Sequence, residues 1–347
     1  MFEDVDMRAV VAGFAGAILV LVALLVFVGV DDVVDQVTDA PPGIVALIVL
    51  AALGWLTSWG LALRSVLASL GLSLSVARSF VVFAAATFAN NVTPFGQAGG
   101  EPVSALFISR EADTEYETAL AAIASVDGLN FVPSIAFAVL AVFYYAVTIA
   151  FNDRLVFVAS AVAALAVTLA IVAVLAWQHR YAIEHKVVGG AAPILGRITA
   201  RLPLVSRVRV DAVERRIEGF FHAIERVATD RRNLATALSL SALGWAFTIT
   251  SLSLSLYAVS DVPSWNVVAA AMLAIPLGSL AGVTPLPGGL GGIEAVLIFV
   301  LTPVTALGGS TVAAAVLLHR AATYWLPLIL GGGSAAALSA RAKREST

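Results

Sequence analysis

Five ionisable side chains interrupt the long apolar stretches of this chain: Glu101, Asp127, Glu294, His319 and Arg320. In a lipid-like interior a charged group costs about 2.5–3.5 kcal/mol on insertion scales, so each needs a partner, water or a task. Arg320 has two candidate tasks. Its planar guanidinium can grip the oxygens of a phosphate in pairs, or it can balance Glu294 or Asp127 in a structural ion pair. Glu101 and Glu294 can cap free backbone N–H groups, release them to a substrate, or carry a proton. Asn90, Asn91 and Thr93 add neutral hydrogen-bonding groups beside Glu101, and Thr284 does so ahead of Glu294. His319 is expected to be structural.

Glycine surrounds both glutamates. Gly99 and Gly100 precede Glu101; Gly288, Gly289, Gly291 and Gly292 precede Glu294. Such glycines can let helices pack closely. A proline followed by several glycines also breaks a helix, and the N–H groups freed at the next helix start attract anions. Broken backbone is tolerated at membrane depth only where it is buried in protein or lines a cavity. Each glutamate is thereby expected in the first turn of the second leg of a broken hairpin. The pattern Gly289-x-Gly291 has no strand before it and is no dinucleotide fingerprint. No phosphate-binding loop, no metal-spaced His/Cys set and no nucleophile–base–acid set can be assembled, so no catalytic residue, cofactor or metal site is expected.

The two glutamate segments are copies of one pattern. Ala52-Leu53-Gly54-Trp55 recurs as Ala242-Leu243-Gly244-Trp245, and Val92-Thr93-Pro94 as Val283-Thr284-Pro285, at offsets of 190 and 191. Glu101 stands 26 residues before Asp127, and Glu294 stands 26 before Arg320. Four matches in order indicate an internal duplication: a first repeat over 43–177 and a second over 234–340, within one membrane domain spanning 1–347.

The elements that hold these residues must be membrane helices. Hydrophobic residues make up 60% of the chain and charged residues 12%, against roughly 25% charged in soluble proteins. Uncharged runs cover residues 9–30, 40–63, 155–177, 234–260, 262–293 and 321–340. About 20 apolar residues cross a hydrocarbon core of about 30 Å. The run 9–30 is too long for a signal-peptide core and reads as a retained anchor. With no cysteine present, disulfides and thiolate chemistry are excluded.

Charge distribution orients the chain. Asp31, Asp32, Asp35 and Asp39 crowd the first loop, whereas residues 178–233 hold eleven of the twenty Lys and Arg. The positive-inside rule makes 178–233 and both termini cytoplasmic and the acidic loop external. The repeats are then inverted, each contributing a Pro/Gly-broken, re-entrant hairpin that enters from its own side. The run 80–93 is about 21 Å long as helix, too short to span. Inverted repeats with broken helices are a common way to build a transport site. Within 178–233, apolar residues from Val210 to Val227 recur at helical spacing between arginines and glutamates. That pattern predicts an amphipathic helix in the cytoplasmic interface, near anionic headgroups or docked to a cytosolic glycosyltransferase.

The chain resembles the lysylphosphatidylglycerol synthase transmembrane-region family, often described as flippase-like. The run Pro287-Gly288-Gly289-Leu290-Gly291-Gly292-Ile293-Glu294 with the later Arg320, and Asn91-x-x-Pro94 leading to Gly100-Glu101, are similar to that family's motifs. Two departures make the first half less basic than the family pattern: Ser104 stands where members often carry Arg, and Asp127-Gly128 where many carry an acidic–Arg pair. A soluble aminoacyltransferase domain, present in fused members, is not expected here. The resemblance implies lipid translocation. The expectation is an all-α polytopic transporter of the cell membrane that moves an anionic lipid headgroup, phospholipid or polyprenyl-phosphate-linked sugar. Membrane lipids are its partners, a homo-oligomer is open, and nucleic acid is not expected. The alternatives are an intramembrane lipid-modifying enzyme or a membrane scaffold.

Overall fold

In the computed structural model the described residues are 7–148, scattered positions between 160 and 186, 210–261, 264–284 and 286–345. The expected span over 155–177 and the stretch 178–209 fall largely outside them. Among the described residues the chain is helical throughout, with no strand. The first half comprises α1 (Met7–Val28), α2 (Val30–Thr38), α3 (Pro42–Ser69), α4 (Val76–Val92), α5 (Gln97–Glu111) and α6 (Tyr116–Thr148). After α7 (Val210–Thr229) come α8 (Arg231–Ser260), α9 (Trp265–Leu280), α10 (Gly292–Thr305), α11 (Gly309–Arg320) and α12 (Leu326–Glu345). A π-helical turn, Ala321–Trp325, joins α11 to α12.

Among the described residues five helical stretches are long and apolar enough to cross a membrane: α3, α6, α8, Pro287–Thr305 and Gly309–Arg341. A sixth forms if α1 and α2 count as one span, although the chain turns by 94° between them. The turn is made at Gly29, whose φ of 105° is accessible to glycine and not to branched residues. The acidic stretch after α1 is therefore a helix, not the loop expected. Val33 on α2 is buried against Ala313 and Ala314 of α11, and a packed apolar face is what stabilises so short a helix.

The duplicated Ala-Leu-Gly-Trp helices, α3 and α8, lie directly against each other. A Cβ added to Gly54 would fall 2.8 Å from the Phe247 ring, and one added to Gly244 would fall 2.1 Å from Trp59 Nε1. Each motif glycine thus receives an aromatic side chain from the opposite helix. Trp59 stacks edge-on against Trp55 and Trp245, at ring separations of 5.5 and 5.8 Å, and its Nε1 donates to the Ser241 carbonyl. Asn130 of α6 closes the joint: its carbonyl accepts from Trp245 Nε1 and its side chain accepts from Ser241.

Element lengths run in the same order in both halves. In the first, a helix of 28 residues precedes a short pair of 17 and 15 and a helix of 33. In the second, 30 residues precede a short pair of 16 and 14 and a continuous helical stretch of 33. At about 1.5 Å per residue α4 and α9 reach roughly 24–26 Å, short of a full hydrocarbon core.

Helix α7 departs from expectation. Its apolar face is not free to lie in a lipid interface, because Ala223 and Val227 are buried in the first-half core and Phe220 and Ile224 pack against it. Gly219 abuts Glu117 at the start of α6, and Arg226 approaches Gly71 just after α3. The amphipathic pattern reports a helix that caps the bundle, with Arg215, Arg216 and Arg226 left on its exposed side.

Candidate functional site

The second glycine-rich segment is a true break. Gly288, Gly289 and Gly291 take φ of 56°, 65° and 81°, left-handed conformations that cost an L-residue about 1–2 kcal/mol each. The helix restarts at Gly292, which places Glu294 in the first turn of α10, as expected. Glu294 Oε2 accepts the Gly291 N–H at 2.6 Å, so the carboxylate caps the helix and complements its dipole. Its other oxygen, Oε1, accepts from Arg320 Nε at 2.6 Å.

Arg320 is the last residue of α11, directly before the π-helical turn. Turns of this kind recur at functional positions because they re-aim side chains within a helix. Nη2 donates to the Gly288 carbonyl at 3.3 Å, and the guanidinium carbon lies 4.9 Å from the centre of the Tyr324 ring. Arginine carries five N–H donors. Two are used here, leaving three without an acceptor among the described residues. The Arg320 side chain retains 10% exposure, against 1% for Glu294. Arg320 is thus a strut toward Glu294 with one edge still open.

The first segment is built differently. Its break falls at Phe95 and Gly96, with φ of 65° and 53°, before the glycine pair. Helix α5 begins at Gln97, so Gly99 and Gly100 lie inside it and Glu101 in its second turn, not the first. The reason is packing against α4. A Cβ on Gly99 would fall 2.1 Å from the Pro94 carbonyl oxygen, and one on Gly100 would fall 2.6 Å from Asn90 Cα. Thr93 hydrogen-bonds the carbonyls of Ala89 and Gly96 and is spent on its own chain. Glu101 faces α6, and its carboxyl group reaches that of Asp127. Gln97 Nε2 approaches Asp127 Oδ1 at 3.5 Å. An ionised carboxylate only accepts, so two in contact call for a proton or a donor between them.

Both pairs marked by the spacing of 26 residues are therefore in contact: Glu101 with Asp127, and Glu294 with Arg320. The two broken segments also meet each other. A Cβ on Gly96 would fall 2.7 Å from the Gly282 carbonyl oxygen, and one on Gly288 would fall 3.2 Å from Asn91 Cα. The Tyr324 hydroxyl donates to the Asn91 carbonyl at 3.2 Å. Thr284 follows the short 3-10 turn Ala281–Val283, with Gly292 beside it.

Seven buried side-chain polar atoms among the described residues have no hydrogen-bond partner. Four belong to this seam: Asn90 Oδ1, Asn91 Nδ2, Asp127 Oδ2 and Thr284 Oγ1. Native interiors satisfy nearly all such atoms, so a concentration of unsatisfied ones marks a place for water or a ligand. His319, by contrast, is engaged, with Nδ1 at 2.9 Å from Ser251 Oγ on α8. Two members of the seam were not anticipated. Tyr324 stands four residues after Arg320, the spacing that brings side chains together on a helix, and Gln97 follows the break. Among the described residues no three His, Asp or Glu side chains gather closely enough to hold a metal ion.

Long apolar helices, two short broken pairs and a buried polar seam between them define a multi-span α-helical membrane protein. The profile of the family described as "Lysylphosphatidylglycerol synthase TM region" matches residues 10–331. The chain belongs to that family. It is 25% identical to a UPF0104 membrane protein of Methanothermobacter thermautotrophicus over 91% of this chain and 93% of that protein. A second protein of that name from the same organism is 26% identical, covering 93% of this chain and 92% of its own length. UPF0104 membrane protein PH1989 of Pyrococcus horikoshii is 23% identical over 91% and 93%.

Proposed function

We propose that this protein translocates a lipid with an anionic headgroup between the leaflets of a membrane, the headgroup crossing through the seam between the two broken segments. The observation that carries the proposal is the set of buried, unpartnered polar atoms at Asn90, Asn91 and Thr284 on those segments and at Asp127 on α6, together with an arginine with N–H groups to spare. A lipid headgroup is large, polar and costly to expose to hydrocarbon, and such a seam offers it hydrogen bonds at depth.

In this reading the halves are inverted repeats, α4–α5 and α9–α10 are re-entrant hairpins, and both termini face the cytoplasm. The matched element lengths, the reciprocal Gly–aromatic packing of α3 on α8, and the equivalent Glu101–Asp127 and Glu294–Arg320 contacts support the repeat. The asymmetry of basic residues supports the orientation. Alternating access would rock one hairpin against the other around the seam. Arg320 serves as strut and anion contact together: Glu294 fixes the guanidinium plane while its open edge meets a phosphate oxygen. The family's printed name refers to a lipid synthase; translocation is the reading that uses the broken segments and the seam between them directly.

The test is reconstitution of the purified protein in liposomes with tail-labelled phosphatidylglycerol and an impermeant quencher. Loss of the protected inner-leaflet fraction without any new lipid product supports translocation. New products would point to a lipid-modifying enzyme, and neither change to a scaffold.

A further inference from the structure

Helix α1 lies ahead of the duplicated segments, yet one of its faces is packed on the second break. Phe14, Ala17 and Leu21 share a side of the helix and cluster with Leu286, Leu290, Tyr324 and Leu328. Val20 Cγ1 fills the space that a side chain on Gly291 would need, 2.6 Å from its Cβ position, and Leu286 lies 3.7 Å from that of Gly16. Leu290 and Tyr324 are parts of the seam. Leu290 stands between two glycines of left-handed conformation; Tyr324 carries the Arg320 guanidinium on its ring and donates to the Asn91 carbonyl. Beneath α1 they are 2% and 0% exposed. On the far side of α1, Leu19, Val22 and Val26 are exposed. Among the described residues α1 is thus a wall one helix thick between the seam and its surroundings.

The two ends of this wall are held differently. Past the break, Leu25 and Val28 join Val33 of α2 against α11, and Val28 Cγ1 lies 3.7 Å from the Cβ position of Gly309. There the chain turns by 94° at Gly29. Over the break the contact is apolar throughout, since no polar side chain occurs from Phe14 to Val28. In a bilayer such contacts compete with lipid tails that are equally apolar, so this part of α1 leaves its seat without breaking any side-chain hydrogen bond of its own. A lipid headgroup must also reach the seam sideways, because its acyl chains stay in hydrocarbon. Resting on the proposed translocation, we infer that α1 is the lateral gate of the seam. It pivots at its Gly29 end and lifts Phe14, Ala17 and Leu21 from Leu290 and Tyr324, opening a side entrance to the free edge of Arg320.

The chain has no cysteine, so pairs of introduced thiols can be bridged selectively. Gly16→Cys with Leu286→Cys ties α1 to the break, whereas Val28→Cys with Gly309→Cys ties only the pivot. Each purified full-length double variant is treated in liposomes with a short, reducible bis-thiosulfonate, and bridging is counted by intact mass. Exchange of tail-labelled phosphatidylglycerol between leaflets is then measured. In the bridged first pair exchange should fall to the level of protein-free vesicles and return on reduction; in the bridged pivot pair it should persist. A monofunctional thiosulfonate on the first pair should leave most of the exchange. Should the first pair be inactive before bridging, Phe14→Cys with Leu328→Cys repeats the measurement on the same cluster. Undiminished exchange in fully bridged protein would overturn the gate and leave translocation standing, and so would equal loss in the pivot pair or with the monofunctional reagent. No exchange by the unmodified protein would remove translocation and the gate together.

Discussion

Removing Arg320 separates the strut from the anion contact. In Arg320→Ala, Glu294, only 1% exposed beside the intact arginine, keeps the Gly291 N–H as its remaining partner. Breaking one side of a buried pair costs about 3–5 kcal/mol because the other charge is left uncompensated. Glu294→Gln should cost somewhat less, since the amide oxygen can still cap Gly291 and accept from Arg320. In the double variant no buried charge remains. What is lost is the Tyr324 contact at 4.9 Å, worth about 0.5–2 kcal/mol, and the packing of the arginine stem. The double variant should therefore be more stable than Arg320→Ala alone, with a coupling energy of about 2–3 kcal/mol, read from denaturant unfolding in detergent micelles. In liposomes it should fold and still fail to move lipid. Arg320→Lys should keep the fold and lose most of the rate, because an ammonium cannot serve Glu294, Gly288 and a phosphate along one plane. Additive single effects would refute the strut. Recovery of lipid movement in the double variant would refute the anion contact.

Other outcomes follow from packing, capping and charge. Gly100→Ala should destabilise by about 1–3 kcal/mol or more, since its Cβ would lie 2.6 Å from the Asn90 backbone, whereas Gly128→Ala meets nothing within 4 Å and should stabilise α6 by about 0.5–1 kcal/mol; thermal unfolding midpoints compare the two. Asp230 caps α8 by accepting from the Asn233 side chain at 2.7 Å and its backbone N–H at 3.2 Å, which holds its carboxyl below the ordinary value of 3.8. A depressed folded value means the cap is intact above about that pH and is lost as the pH falls further, so amide exchange at the start of α8 should accelerate there and Asp230→Asn should flatten the dependence. In this cysteine-free chain, Asp35→Cys and Arg215→Cys should react with an impermeant thiol reagent from opposite faces of the membrane; reaction from the same face would contradict the inverted topology.

The most legible part of the site was its spacing. The equal spacing of 26 residues to Asp127 and to Arg320 marked the duplication. It left the partner of Arg320 open between Glu294 and Asp127 and did not announce the Glu101–Asp127 contact; the pairing follows from a short broken helix and a return helix in each half. The Gly-Trp repeats marked the duplication, and only the structure reveals that they also form the joint of α3 and α8. The location of the first break was not legible. Gly99-Gly100 looks like a helix breaker in sequence, and only the approach of Asn90 and Pro94 reveals that these glycines are there for lack of a Cβ. Phe95, which carries the left-handed backbone instead, gives no such signal. Amphipathicity announced α7 but not the surface it covers, since Val227 and Ala223 satisfy a lipid interface and a protein core equally well. Gly29 hid in an apolar run, so the turn into α2 and the helical state of the acidic stretch were missed.

Thr284→Cys places a single thiol on the seam, beside Gly292, in a chain that otherwise has none. The deciding measurement is the rate of phosphatidylglycerol exchange between leaflets of liposomes holding this variant, before and after reaction with a small water-soluble thiol reagent. Exchange should be well above that of protein-free vesicles before labelling and should fall to their level after it. No exchange before labelling, with the unmodified protein equally inactive, would contradict translocation; exchange undiminished in fully labelled protein would contradict passage of the headgroup through the seam.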